Sequence, residues 1–427
     1  MKRSTLFVAV GAMTAFGIAA FASQAARQPL FSATKAAPAG ITADASYRAL
    51  LENRAAQSVQ LVQADAAQID AKTDALQLGL GDAGTAYLRS ATRNPDGTVV
   101  WSGTLGRDFG LLDTVKAKLG GEIADDPNNA VLIVRNGDKL TGTIRAKGQL
   151  YQLRPLRSGG HAIVAIDESK MPADHPEAEY ARMFRQSLAS ARMRSLRDTD
   201  AVEAVPTKAN AVIRVLVAYT PSAATASGDI TGLINLAVAE TNQGYTNSGV
   251  AITLQLASTV RVTYTESGSF STDLSRFRGT TDGYMDSIHT TRNSTAADVG
   301  VLVINNSSSC GLASSIGSSA STAFAAVHYS CATGYYSFGH EIGHLQSARH
   351  DPATDPSTTP YAYGHGYRSP TKAWRTIMAY NCSPSCSRIN YWSNPAKTYG
   401  GQAMGTTSTS HNQRVLNNTA ATVAAFR

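Results

Sequence analysis

Hydrophobic and polar positions change their periodicity several times along the N-terminal half of the chain. Residues 43–74 are rich in Ala, Gln and Leu, a composition that favours helix. From about Ala75 the pattern becomes short alternating segments broken by turn sequences, which is typical of strands. Three dipeptides with the residues of tight hairpin turns separate them: Asn136-Gly137, Lys147-Gly148 and Gly159-Gly160. We therefore predict a helix followed by a β-meander.

The C-terminal half, from Ala211, alternates apolar segments with helical ones. Strands are predicted at 213–221, 251–266, 299–305 and 323–329, and helices at 229–245 and 274–290. This alternation predicts a mixed sheet with helices packed on it, so the expected fold class is α+β. Ser410 is a candidate N-cap for a closing helix.

The extreme N-terminus carries an export signal. Lys2 and Arg3 precede an apolar run from Leu6 to Ala22, and small residues follow. This order of basic, apolar and small residues predicts a signal peptide over residues 1–25. A membrane anchor is the alternative, but Gly and Thr interrupt the run and no second apolar span follows. We expect a secreted protein without stable membrane association.

A polar linker divides the remaining chain. Residues 177–196 have the pattern of a basic amphipathic helix, and the sequence RDTDAVEAVPTKAN follows. Exposed linkers are preferred sites of proteolysis, so the layout favours a zymogen with a propeptide at 26–208 and a second domain at 209–427. An ordinary N-terminal domain that stays attached is the alternative.

Length, charge and cysteine content narrow the function classes. The 427 residues exceed the usual size of one domain, which agrees with two domains that each have a hydrophobic core. We expect the protein to be a monomer. The net charge of +7 is dispersed, and no basic run interleaved with aromatics predicts nucleic-acid binding. Four cysteines in an exported chain favour disulfides, and we prefer Cys310–Cys331 and Cys382–Cys386. A four-thiolate zinc site is disfavoured because repeated CxxC spacing is missing.

The segment HEIGHLQSARHD, residues 340–351, predicts a catalytic zinc site. His340 and His344 are four apart, so a helix would place both imidazoles on one face. His350 follows where the chain can turn back to the same metal, which would leave a fourth position open as in catalytic zinc sites. Glu341 lies beside the first ligand and is a candidate general base. Five other histidines lack a partner at ligand spacing and are interpreted as core or surface residues: His161, His175, His289, His328 and His411. His365, in the loop that follows the motif, could line the cleft, but a loop role is preferred.

The zinc motif, the later segment TIMAYNC and the segment YWSNP together resemble the metzincin zinc peptidases, closest to the bacterial peptidyl-Asp metalloendopeptidases. The resemblance covers about residues 210–427. It implies a metzincin-like zincin catalytic domain with one zinc ion, a methionine turn and a terminal helix. In that family Met378 would form the floor beneath the ligands. Tyr380 would stabilise the oxyanion that develops during peptide hydrolysis.

One position departs from the metzincin pattern. Ser347 stands where the family has glycine, at the helix break that returns His350 to the metal. A left-handed residue there costs about 1–2 kcal/mol, which zinc binding can offset. If His350 did not bind the metal, Asp351 would be the next candidate ligand.

The resemblance also implies cleavage on the amino side of aspartate in protein or peptide substrates. The pocket for that residue would need a positive charge, and we predict Arg388 as its anchor, stiffened by a Cys382–Cys386 bridge. Arg375 and Arg349 are alternative anchors. Arg388 could also have a purely structural role as one partner of a surface ion pair. Residues 27–200 contain no cysteine, so a propeptide acting as inhibitor would have to offer Asp167, Asp174 or His175, or steric cover alone.

Two other functions stay open. The chain could be a zinc hydrolase of cell-wall peptide cross-links, which casein digestion and peptidoglycan release would separate. It could also be a non-catalytic secreted binding module with a structural zinc, although the presence of Glu341 disfavours this.

Overall fold

A computed structural model describes residues 28–34, 37–106, 121–195 and 210–427. The predicted signal peptide at 1–25 and most of the predicted linker lie outside these residues. None of the described helices is both long and apolar enough to span a membrane.

The N-terminal half forms a nine-stranded antiparallel sheet in the order β1-β2-β9-β8-β7-β6-β5-β4-β3. Its strands are β1 Phe31–Ala33, β2 Ala56–Ala64, β3 Ala75–Gln77, β4 Thr85–Arg93, β5 Val99–Leu105, β6 Ala130–Asn136, β7 Lys139–Ala146, β8 Gln149–Pro155 and β9 His161–Ile166. Strands β3 to β9 follow one another along the chain and in the sheet, as the predicted meander requires. The three predicted turns connect β6 to β9.

The helix predicted over 43–74 is wrong beyond its first part. Helix α1 spans only Ala45–Glu52, and residues 56–64 are strand β2. Strand β2 pairs with both β1 and β9. Val59 and Leu61 pack against the core between this sheet and α1. Pairing and burial across the sheet outweigh the helical preference of Ala and Gln.

Helix α2, Glu177–Ser195, connects the N-terminal half to the C-terminal half. Met183 on this helix is fully buried in the main core of the C-terminal domain. The sheet also reaches that domain through polar contacts, because the Arg154 guanidinium donates to Thr333 Oγ1 at 2.8 Å. The two halves therefore pack as one body around the region that precedes the zinc motif.

The C-terminal domain contains a five-stranded mixed sheet in the order β11-β10-β12-β14-β13. Its strands are β10 Ala211–Tyr219, β11 Ile252–Arg261, β12 Val299–Ile304, β13 Gly311–Ala313 and β14 Phe324–His328. Strands β11, β10, β12 and β14 are parallel to one another, and only β13 runs antiparallel, at the edge. The mixed sheet agrees with the predicted α+β class. The short edge strand β13 was not predicted.

Seven further helices flank this sheet among the described residues: α3 Pro221–Ser227, α4 Ile230–Ser248, α5 Phe270–Arg278, α6 Ser287–Ser294, α7 Tyr329–Ala332, α8 Ser337–Leu345 and α9 Asn412–Val423. The single helix predicted at 274–290 is wrong, because α5 ends at Arg278. Gly283 has a φ of 82°, and the Asp286 carboxylate accepts from its N–H, so a turn interrupts the helix. Helix α9 is not capped by Ser410; the hydroxyl of Ser393 accepts from the Asn412 N–H at 2.7 Å instead.

The chain after the zinc motif forms two small sheets and a disulfide loop. The strands are β15 Trp374–Arg375, β16 Ser387–Arg388, β17 Asn394–Tyr399 and β18 Gln402–Met404. Both predicted disulfides, Cys310–Cys331 and Cys382–Cys386, are present. One joins the residue before edge strand β13 to helix α7, and the other closes the loop that leads into β16. They fix the segments on two sides of the histidine cluster.

Candidate active site

Helix α8 carries the first two histidines of the zinc motif. Its spacing places the His340 and His344 rings side by side, with their centroids 4.8 Å apart. The Nδ1 of His340 donates to the Ile377 carbonyl at 3.0 Å, and the Nδ1 of His344 donates to the Ala348 carbonyl at 2.8 Å. Only a protonated nitrogen can donate to a carbonyl, so Nε2 of each ring is left as a free lone pair.

Ser347 makes the turn that brings the third histidine back. Its φ is 73°, the left-handed conformation predicted for the position where the resembled family has glycine. Its N–H donates to the His344 carbonyl at 2.9 Å, and the Ala348 N–H donates to Gly343. After this turn His350 Nε2 lies 3.1 Å from His344 Nε2.

A fourth histidine, His175, meets the other three from the N-terminal half. Its Nε2 lies 3.0 Å from both His344 Nε2 and His350 Nε2, and 3.2 Å from His340 Nε2. Its Nδ1 donates to the Gly311 carbonyl at 3.1 Å. The interpretation of His175 as a histidine remote from any metal is therefore wrong. Sequence spacing could not find it, because 165 positions separate it from His340.

The four rings fit a zinc ion. Bond lengths of about 2.0 Å in a tetrahedron place ligand nitrogens about 3.3 Å apart, close to the separations of 3.0–3.2 Å among these Nε2 atoms. All four histidines are buried and form a group that could hold a metal. Burial lowers the pKa of each of His340, His344 and His350, which favours the neutral form that binds zinc.

Glu341 lies beside the cluster with both carboxylate oxygens buried, and neither oxygen accepts from a side chain among the described residues. Its Oε1 is 3.6 Å from His175 Nδ1. Burial raises its pKa well above the usual value, and Asp174 adds to the effect. A Cβ on Gly311 would lie 2.3 Å from Oε1, so strand β13 can approach Glu341 only with glycine at this position. The carboxylate is free to accept a proton.

Met378 and Tyr380 lie on the turn below and beside the histidines. Met378 is fully buried, and its sulfur would be 3.2 Å from a Cβ on Gly343, between the two ligands of helix α8. The ring of Tyr380 lies 4.2 Å from that of His350, centroid to centroid. Burial raises the pKa of Tyr380, so its phenol keeps its proton.

Arg388 lies in the same cleft, on strand β16, and is fully buried. Its Nη2 donates to Asp174 Oδ2 at 2.6 Å, and its guanidinium lies 4.2 Å from the centre of the Tyr335 ring. Burial alone would raise the pKa of Asp174, but Arg388 and then Arg375 outweigh it and lower that pKa. The neighbour of His175 is thus a charged aspartate held by this arginine.

The alternative residues have other contacts. Arg375 donates to the Ala379 carbonyl at 2.6 Å and to Tyr335 Oη at 3.0 Å, and Arg349 pairs with Asp355. Asp351 accepts from the Tyr380 N–H at 3.0 Å and pairs with Arg368, outside the histidine cluster. Through these contacts the two arginines and Asp351 stabilise the segments around the histidine cluster.

Comparison with known proteins agrees with this geometry. Residues 209–393 match the family described as Metallo-peptidase family M12. Three bacterial proteins named peptidyl-Asp metalloendopeptidase are similar in sequence. Those of Stenotrophomonas maltophilia strain K279a and Xanthomonas campestris pv. campestris are 51% and 50% identical over 432 residues, covering 100% of both chains in each case. That of Pseudomonas fragi is 55% identical over 190 residues, which are 44% of this chain and 100% of the relative.

Proposed function

The chain belongs to the peptidyl-Asp metalloendopeptidases, and on that premise we propose that it is an exported zinc endopeptidase, made as an inactive precursor, that cleaves on the amino side of aspartate. One observation carries the specificity: beside a histidine cluster that fits zinc, Arg388 already holds an aspartate carboxylate at 2.6 Å. The two disulfides fit an oxidising compartment outside the cell.

His340, His344 and His350 would hold one zinc ion in the processed enzyme. When bound, zinc supplies Lewis acidity that acidifies a water molecule and polarises a peptide carbonyl. Glu341 accepts the proton, because its carboxylate is buried beside the three ligands and neither oxygen accepts from another side chain among the described residues. The same group then returns the proton to the leaving amine.

Tyr380 is the proposed donor to the negative charge that develops on the carbonyl oxygen. Its ring lies against His350, and its main chain is held at both sides. The N–H donates to Asp351 Oδ2 at 3.0 Å, and the carbonyl accepts from Arg368 Nε at 2.9 Å. A phenol held in place in this way loses little entropy when it donates to a transition state.

Arg388 selects aspartate by charge and by burial. Arg388 and Arg375 are both fully buried, and two of the carboxylates that act on them, Glu168 and Asp174, belong to the N-terminal half. Once residues 26–208 leave, the buried site around Arg388 stands without these carboxylates. Such a site favours an anionic side chain, because leaving buried charge unpaired is costly.

A structural zinc in a binding module is the second candidate. Four protein ligands close the site in the intact chain, and closed four-ligand sites are typical of structural zinc. The unpaired carboxylate of Glu341 favours catalysis instead, since a structural site has no use for it.

The substitution Glu341→Ala distinguishes a catalytic zinc from a structural one. In chain cut within residues 196–210, it should keep one zinc per molecule and lose at least about 100-fold in peptide hydrolysis, because it removes the base and leaves the ligands. Zinc content by atomic absorption and the hydrolysis rate are measured on the same sample. A variant that cleaves peptides at close to the parent rate would refute the proposed mechanism.

A further inference from the structure

Three residues of the N-terminal half, Ala173-Asp174-His175, lie along edge strand β13 in the cleft; we call them the plug. The Cys310 N–H donates to the Ala173 carbonyl at 2.8 Å, and the Gly311 N–H donates to the Asp174 carbonyl at 2.9 Å. The Gly311 carbonyl in turn accepts from His175 Nδ1. The plug is therefore attached by its main chain to the strand that borders the histidine cluster.

We propose that the plug keeps the precursor inactive by occupying two positions at once, with His175 as the fourth zinc ligand and Asp174 in the aspartate subsite formed by Arg388. This inference rests on the proposed function, since it names how the same site is regulated. It assigns to His175 and Asp174 a metal-binding and a substrate-mimicking role.

His175 completes a tetrahedron. Its Nε2 lies 3.0–3.2 Å from the other three Nε2 atoms. Its Nδ1 proton is used on Gly311, so the Nε2 lone pair points into the cluster. A water molecule that Glu341 could deprotonate would need the position that this nitrogen occupies.

Asp174 supplies the charge that the subsite requires. Its side chain is 6% exposed, and its partner Arg388 is fully buried. Arg388 also donates to the carbonyls of Tyr335 and Ala379, so the guanidinium is already oriented before any carboxylate binds. The plug thus fills the subsite with the side chain that the proposed substrate would bring.

The plug nevertheless avoids cleavage before Asp174. The carbonyl that would be attacked belongs to Ala173, and it accepts a hydrogen bond from the N–H of Cys310, the residue before strand β13. The group presented to the metal is the imidazole of the next residue, His175. Carbonyls 173 and 174 bind N–H groups 310 and 311 in the same order, so the plug and the strand run in the same direction.

Helix α2 holds the plug from its C-terminal side. The Tyr180 hydroxyl donates to Asp355 Oδ2 at 2.6 Å, and the Tyr180 ring stacks on His350 at 4.2 Å. Met183 is buried in the core of the C-terminal domain. As long as the chain is uncut, the plug is tethered next to the metal and rebinds at a high effective concentration.

The first test counts the histidine ligands in the uncut, zinc-loaded full chain by X-ray absorption at the zinc edge. We expect four imidazoles in the parent and in Lys170→Ala, an exposed change five residues before His175. In His175→Ala we expect three imidazoles and a light oxygen ligand. A parent spectrum with three imidazoles, or a His175→Ala spectrum with four, would overturn the proposal.

A second measurement follows access to the metal with acetohydroxamate, a small zinc-binding probe. Uncut His175→Ala should bind it at least about tenfold more tightly than the uncut parent, since binding to the parent is reduced by the fraction of chains with the plug released. Equal affinity in the two chains would contradict the plug.

Asp174→Asn tests the second contact, with Asp167→Asn as a matched control. Asp167 lies in the same segment, and its carboxylate accepts from the exposed Ser169 rather than from Arg388. Asp174→Asn should increase deuterium uptake by the amides of 310–311 in the uncut chain, whereas Asp167→Asn should leave it unchanged. Equal uptake in all three chains would remove Asp174 from the plug.

Failure of the plug can be distinguished from failure of the proposed function. Four imidazoles in uncut chain, with no hydrolysis before aspartate after cutting, would uphold the plug and refute the peptidase proposal. Three imidazoles in uncut chain, with aspartate-directed hydrolysis after cutting, would do the reverse.

Discussion

Replacing Arg388 by leucine in the processed enzyme should remove its preference for aspartate. The arginine is fully buried, and its Nη2 lies 2.6 Å from the Asp174 carboxylate in the precursor. Leaving a buried charge without its partner typically costs 2–5 kcal/mol, which corresponds to a loss of about 30-fold to 4,000-fold in discrimination. Arg388→Lys should fall between parent and leucine variant, because it keeps the charge but loses the planar fork.

The assay compares kcat/KM for two peptides that differ only in aspartate or asparagine after the scissile bond. Asparagine has nearly the same shape, so the ratio reports the charge. The ratio for Arg388→Leu should approach one while hydrolysis of the asparagine peptide changes little. If Arg388→Leu discriminates as strongly as the parent, Arg388 is not the anchor and the positive charge must come from another residue.

Three further outcomes are expected. Tyr380→Phe should lower kcat by about 100-fold with little change in KM, since it removes a donor used in the transition state, and an unchanged kcat would exclude that role. Thiol-directed mercurials should fail to activate the precursor, because residues 27–200 contain no cysteine, whereas proteolysis between 196 and 210 should succeed; a precursor as active as the cut chain would refute latency. Burial raises the pKa of Glu240 to about 7 from 4.5, so the folded state binds the proton more tightly and this stability is lost as pH rises from about 4.5 to above 7. Glu240→Gln should therefore stabilise the fold at pH 8 by up to about 3 kcal/mol, seen as a higher melting temperature than the parent's, and should leave the melting temperature unchanged near pH 4. Melting curves of variant and parent that coincide at both pH values would contradict this.

The features set by local spacing could be predicted from the sequence. His340 and His344 are one helical turn apart, and the structure places both on helix α8 with their Nε2 atoms free. The left-handed turn at Ser347 followed from the need to return His350 to the same point, and its φ of 73° agrees. The hairpin dipeptides similarly predicted the meander, because their turn preferences are local.

The features set by contacts between residues far apart in the chain could not be predicted from the sequence. Residues 56–64 look helical by composition and become strand β2, because they lie between β1 and β9. Strand β13 has three residues, too few to show a period, yet it borders the cleft and holds the plug. The N-terminal half contains no cysteine, and its sequence left Asp167, Asp174 and His175 as equal candidates for a group that blocks the metal. The contacts of Asp174 and His175 with residues 310–311, with Arg388 and with the other histidines select them in the folded chain.

The central claim, zinc-dependent cleavage before aspartate, is tested most directly by sequencing new termini. A denatured proteome is digested with chain cut within residues 196–210, alongside the same preparation of Glu341→Ala. We predict that the new N-termini made by the parent begin with aspartate, and that Glu341→Ala or removal of zinc by a chelator abolishes them. New termini without enrichment of aspartate, or aspartate termini that persist in Glu341→Ala, would contradict the account.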